Sequence, residues 1–121
     1  MVSVNNDGPG IVYGGTWSRS AGRGMGDYQD DVQYSEADGS SFEYSFVGTG
    51  IDWVTETHSS QGEADVYLDG QLVDTVDTFL AEGRGVQQVV YSVRDLPNGS
   101  HNLRVVKKSG QFMLLDKLDV I

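Results

Sequence analysis

The chain has 121 residues, enough for one domain with a modest hydrophobic core. Eight Lys and Arg against 18 Asp and Glu leave a formal charge of −10, which repels phosphate backbones and anionic lipid, so neither nucleic acid nor a membrane is an expected partner. No apolar run approaches the roughly 20 residues of a membrane-spanning helix. No basic-plus-apolar signal stretch opens the chain, so any export signal is expected outside these residues. The absence of cysteine removes disulfides, thiol catalysis and zinc–thiolate sites together.

Glycine is the strongest compositional signal, 16 residues of 121 against a usual share of roughly 7%. The glycines separate short segments rich in Val, Tyr, Phe, Ile and Thr, as turns separate strands. Strands are expected over residues 11–18 and, after the glycine-rich stretch 21–26, over residues 28–35. Residues 40–47 alternate, with Phe42, Tyr44 and Phe46 on one face and Glu43 and Ser45 on the other. Gly48, Thr49 and Gly50 turn the chain into residues 51–57, where Ile51 and Trp53 share a parity. Residues 62–68 place Ala64, Val66 and Leu68 inward and Glu63, Asp65 and Tyr67 outward. Asp69 and Gly70 form a tight hairpin turn, since glycine supplies the positive φ of a type I′ turn, and residues 71–78 return from it. Only residues 78–84 have room for a turn of helix. Residues 86–93, 100–108 and 112–121 complete about nine strands at regular spacing. That spacing predicts an all-β antiparallel sandwich or barrel, a single domain over residues 1–121.

Catalytic constellations are scarce. His58 and His101 are the only histidines, and no Gly-x-Ser-x-Gly elbow accompanies them. His101 stands at a strand start, where a structural role is the simpler expectation, whereas His58 lies in a polar loop and is a candidate ligand contact. Among 18 acids no particular pair marks itself as an acid–base couple. Hard oxygen ligands for calcium are plentiful, and residues 27–31 form the densest acidic cluster. It lacks the spacing and the glycine of an EF-hand, and a solvated charged loop is the simpler account of it. The glycines at 22, 24 and 26 precede no helix and so make no phosphate cradle. Asn98-Gly99-Ser100 reads as a turn before it reads as a glycosylation acceptor.

The aromatics say more. Trp17, Tyr28, Phe79 and Phe112 fall near strand ends or loops, where a sandwich presents its binding surface. Sugar C–H faces lie flat on aromatic rings, while carboxylates, amides and arginine take the hydroxyls. The core is the competing destination for each of these rings.

A series of segments carries a resemblance. It runs through Ser41-Phe42-Glu43-Tyr44-Ser45-Phe46-Val47-Gly48-Thr49-Gly50-Ile51 and Ala64-Asp65-Val66-Tyr67-Leu68-Asp69-Gly70, then Leu96-Pro97-Asn98-Gly99-Ser100-His101 and Leu115-Asp116-Lys117-Leu118-Asp119-Val120. The series resembles the galactose-binding-like β-sandwich modules of secreted bacterial polysaccharide-degrading enzymes, in the neighbourhood of carbohydrate-binding module families six and thirty-five. The resemblance implies a jelly roll of two antiparallel sheets and a non-catalytic role, holding a neighbouring catalytic domain against a glycan outside the cell or on its surface. It also implies a structural calcium between the N-terminal segment and a last-strand acid. Asp116 matches that acid; the usual Ala-Glu pair is missing, and Asn5-Asn6-Asp7 replaces it, so Asp7 and Asp116 are the metal candidates. Ligand loops in such modules map to Trp17, Tyr28, Asp30, Asp31, Glu56, His58 and Arg84. The rival reading is a structural or adhesive β-sandwich making protein–protein contacts, and a small hydrolase or lyase is the third.

Overall fold

A computed structural model describes all residues, 1–121, and contains twelve strands with one short 3-10 turn. In chain order the strands are β1 (Val2–Asn5), β2 (Val12–Gly14), β3 (Ser18–Ala21), β4 (Asp31–Ser35), β5 (Ser41–Gly48) and β6 (Ile51–His58). They continue as β7 (Glu63–Leu68), β8 (Gln71–Asp77), β9 (Arg84–Val93), β10 (Gly99–Lys107), β11 (Met113–Leu115) and β12 (Lys117–Val120). A five-stranded sheet, β2-β5-β10-β7-β8, lies over a four-stranded sheet, β1-β12-β6-β9. A three-stranded sheet, β11-β4-β3, adjoins the latter where the chain passes from β11 to β12 through Asp116. Every pairing between these strands is antiparallel.

Period-two alternation builds the core. In the five-stranded sheet Val105 stands opposite Phe42 on one side and Val66 on the other. All three are fully buried and face Ile51, Trp53 and Leu118 of the second sheet. Phe42 meets Trp53 edge-on at 5.5 Å between ring centroids, a favoured aromatic geometry. Removing either ring from water stabilises the fold by about 2 kcal/mol. The inward places of Ala64, Val66 and Leu68 are as the alternation predicts, while Tyr44 is only half-buried at the core's edge.

The strand count exceeds the expected nine for local reasons. Residues 11–18 divide into β2 and β3, which join different sheets, because the chain bends at Gly15 (φ 84°). Residues 112–121 break at Asp116, and residues 2–5, which carry no alternation to announce them, pair with β12. Tyr28–Asp30 is a 3-10 turn rather than strand: Asp30 N–H donates to the Asp27 carbonyl at 3.0 Å, and Gln29 and Asp30 take positive φ of 52° and 55°. Residues 78–84 hold no helix, since their polar backbone is spent across the chain. Thr78 N–H donates to Gly62 O at 2.9 Å and Leu80 N–H to His58 O at 3.2 Å. The Asp69-Gly70 turn has the expected positive φ at both positions, 52° and 82°. Gly48 and Gly50 are required by close approach instead: a Cβ there would strike the carbonyls of Ile121 and Val93.

Candidate functional site

The largest depression, a cleft of about 540 Å³, lies on the outer face of the small sheet and the adjoining end of β6. Alternation explains its composition. Met113 and Leu115 of β11 point into the core, so Leu114 and Phe112 point the other way. By the same parity Ile51 and Trp53 of β6 face the core while Glu56 and His58 face the cleft, and Tyr34 and Glu36 project from β4 and the loop after it. The loop after β3 supplies Arg23 and Met25 as one wall, and Arg84, the first residue of β9, supplies the other.

Glu56 sits at the centre, 3% exposed, and both of its carboxylate oxygens are occupied. Arg84 Nη1 donates to Oε1 at 2.6 Å and to Oε2 at 2.5 Å, and Arg23 Nη2 donates to Oε2 at 2.8 Å. Arg23 Nε also lies 3.3 Å from Asp27, whose carboxyl is raised by burial against the pull of Arg23. Ser60 N–H donates to His58 Nδ1 at 3.1 Å, which puts the neutral ring's proton on Nε2. Ser60 Oγ is 2.8 Å from the same nitrogen, but no carboxylate orients Nε2, so the contact lacks the third member of a catalytic triad. Tyr34 and Phe112 meet edge-to-face at 5.7 Å and give the cleft an aromatic floor.

Three of the seven candidate ligand contacts, Glu56, His58 and Arg84, come together in this cleft. The other four lie outside its lining. Trp17 packs against Tyr13 and edge-on to Phe42, with Nε1–H donating to Gly14 O at 2.9 Å, so the ring is half-buried against the edge of the core. Tyr28 lies beneath Lys117 Nζ at 4.7 Å from the ring centroid. Asp30 caps the turn by accepting from Gly24 N–H at 2.8 Å. Asp31, 2% exposed, is bound by Arg19, Asn5 and Asn6; burial works to raise its carboxyl, and these partners together hold it below the usual range. Tyr34, Leu114, Ser20 and Met25 carry no signal in the sequence, because they meet only when β3, β4, β11 and β6 are brought side by side. His101 is structural, held between Asp69 and the Pro97 carbonyl at 2.8 and 2.7 Å.

The metal candidates Asp7 and Asp116 fare differently. Asp7 is exposed and its carboxylate accepts from Asn5 Nδ2 at 2.7 Å. Asp116 is fully buried, and burial pushes its carboxyl up to about 7 against the Tyr28 N–H that donates to both oxygens at 3.1 Å. The charges of Asp27 and Asp31 push it the same way. Nowhere do three or more acid or histidine side chains form a ready metal-ligating group. Yet Asn6 Oδ1 and both Asp27 carboxylate oxygens are buried without hydrogen-bond partners. Asn6 Nδ2 meanwhile reaches the Asp116 carbonyl at 3.0 Å. Hard oxygens short of hydrogen bonds, Asp27 ion-paired only with Arg23, suit a hard cation better than the exposed Asp7 does.

A second, smaller groove of about 360 Å³ runs between β1 and β5 and is lined mainly by Val2, Val4, Tyr44, Phe46, Val47 and Val120.

Comparison with known proteins places this geometry in context. No family model matches the chain. It is 32% identical over 110 residues to an A type blood alpha-D-galactosamine galactosaminidase of Flavonifractor plautii, covering 91% of this chain and 10% of that protein. It is 30% identical over 105 residues to an A type blood N-acetyl-alpha-D-galactosamine deacetylase of the same organism, covering 87% of this chain and 13% of that protein. The chain thus spans about a tenth of the length of the relatives it matches. Among solved structures, a family 35 carbohydrate-binding module from an environmental isolate superposes with a TM-score of 0.69 at 16% identity, covering 100% of this chain and 93% of that one. A family 36 carbohydrate-binding module in complex with calcium and xylotriose superposes with a TM-score of 0.62 at 15% identity, each chain covered in full.

Proposed function

We propose that this chain, which has the β-sandwich fold of carbohydrate-binding modules, binds glycan in the Glu56 cleft without altering it and anchors a neighbouring catalytic domain to that glycan. The observation that carries the reading is the cleft itself. An aromatic floor of Tyr34 and Phe112 stands beside arginine and histidine donors, the pairing that holds a sugar by its C–H face and its hydroxyls. The relatives support the role. Two enzymes named for different reactions share this segment, which occupies about a tenth of each, so the shared segment suits recognition rather than either chemistry. Their names support an amino-sugar-bearing glycan as ligand, and the proposed setting is outside or on the surface of a bacterial cell. No helix is long and apolar enough to cross a membrane.

Calcium belongs to the proposal in a structural place. Asp116, Asp27 and Asn6 Oδ1 would hold it, where it would neutralise buried carboxylates and tie the N-terminal segment to β12. The protein-contact alternative would use the valine-lined groove between β1 and β5, where nothing indicates a partner.

A glycan array probed with the purified chain, with and without calcium, tests the reading. Selective binding that is lost in Phe112→Ala and His58→Ala, with unchanged melting temperatures, is the expected result. Silence from a folded sample across amino-sugar, neutral and acidic glycans would overturn it.

A further inference from the structure

The two walls of the cleft differ in what they leave unsatisfied. Arg84 spends Nη1 on Glu56 and keeps Nε and Nη2 without partners in the protein, with 32% of its side chain open to solvent. His58 presents Nε2–H in the same way, since Nδ1 accepts from Ser60. Acceptors are the scarce commodity. Both Glu56 oxygens are taken by guanidinium groups, and Asp27 is buried behind Arg23. Glu36 is the one carboxylate of the lining not paired with a guanidinium, and it stands at the exposed rim. The same cleft is lined by an apolar group, Met25, Leu114 and Phe112, that no sugar hydroxyl satisfies.

We propose that the cleft selects an N-acetylated hexosamine over the same sugar carrying a free amine or a hydroxyl at that carbon. The inference rests on the glycan-binding reading above and specifies the functional group recognised. An acetamide carbonyl accepts from the Arg84 guanidinium, and the acetamide methyl fills the space beside Met25 and Phe112. A free amine is protonated near neutral pH and meets two guanidinium groups with no unpaired carboxylate at the floor to receive it. A hydroxyl fills neither the carbonyl's position nor the methyl's. A group of this size in an apolar pocket is worth about tenfold or more in selectivity.

The test is titration calorimetry of the intact chain with N-acetylgalactosamine, N-acetylglucosamine, galactosamine and galactose, joined by saturation-transfer NMR. Both N-acetylated sugars are expected to bind about tenfold or more tightly than galactosamine and galactose. The acetamide methyl should receive the strongest saturation, and Met25→Ser should narrow the gap without moving the melting temperature. Equal affinity for galactose and N-acetylgalactosamine, or tighter binding of galactosamine, would overturn the selection while leaving the glycan reading intact. Failure of all four sugars, with no response from longer glycans on the array, would overturn both.

Discussion

At the scale of single residues, Glu56 organises the cleft. Its carboxylate holds Arg23, from the loop after β3, and Arg84, the first residue of β9, on the two walls, and the N–H groups that Arg84 does not spend on it become binding donors. Glu56→Gln keeps the shape but removes the charge that both guanidinium groups answer. It should cost about 3 kcal/mol, at the low end for a broken buried ion pair because Arg84 still reaches water. Urea denaturation measures this, and a loss below about 1 kcal/mol would mean that the arginines hold their places without it. Trp17 teaches the opposite lesson. A tryptophan near a strand end suits a sugar platform, but this one stays only partly exposed, packed against the core edge-on to Phe42 with Nε1 bonded to Gly14, and lies outside the Glu56 cleft. Its type was legible in the sequence and its direction was not, since the bend at Gly15 that turns the ring inward has no period to read.

At the scale of elements, alternation was legible wherever one face of a strand meets the core. It placed β5, β7 and β10 within a residue or two of where they lie, and the Asp69-Gly70 hairpin with them. It also placed β6, expected over residues 51–57 and found over Ile51–His58 with Ile51 and Trp53 on the core side, but it could not show that residues 52, 54 and 56 on the other face are buried as well. The hairpin offers a clean test. Gly70 has φ 82° and open space where the first carbon of a side chain would stand, so Gly70→Ala strains only the backbone. It should cost about 1 kcal/mol, seen as a lower denaturation midpoint at unchanged denaturant dependence. A loss several times larger would show that the turn sets the β7–β8 register rather than merely closing it.

At the scale of the whole molecule, buried oxygens of the N-terminal segment, the loop before β4 and the chain between β11 and β12 converge. Without a cation, Asp116 takes up a proton more readily folded than unfolded, its carboxyl rising from 3.8 to about 7. Across that window the native state holds the proton that the unfolded chain has released, so stability should fall as pH rises from about 4 to 7. Calcium should reverse the loss. Free calcium at a hundredfold excess over its dissociation constant stabilises by about 2.7 kcal/mol. Melting curves in chelator and in calcium across this pH range measure both effects, and Asp116→Asn should abolish both. Identical curves in chelator and calcium would rule out the cation site.

Composition, turn chemistry and period-two patterning determined the all-β class and the inward faces of the central strands. They could do so because each rests on neighbours in sequence: a glycine at a turn, an apolar residue two places from the next. The cleft was decided only in three dimensions. Arg23, Tyr34, Glu56, Arg84 and Phe112 are scattered over 90 positions of the chain (23–112), and they meet because β6, β4 and β11 and the loops at their ends pack together. Pairing between distant strands sets which outer faces adjoin, and no local pattern encodes that choice. For the same reason the partners of Asp116 were out of reach, although Asp116 itself was in view.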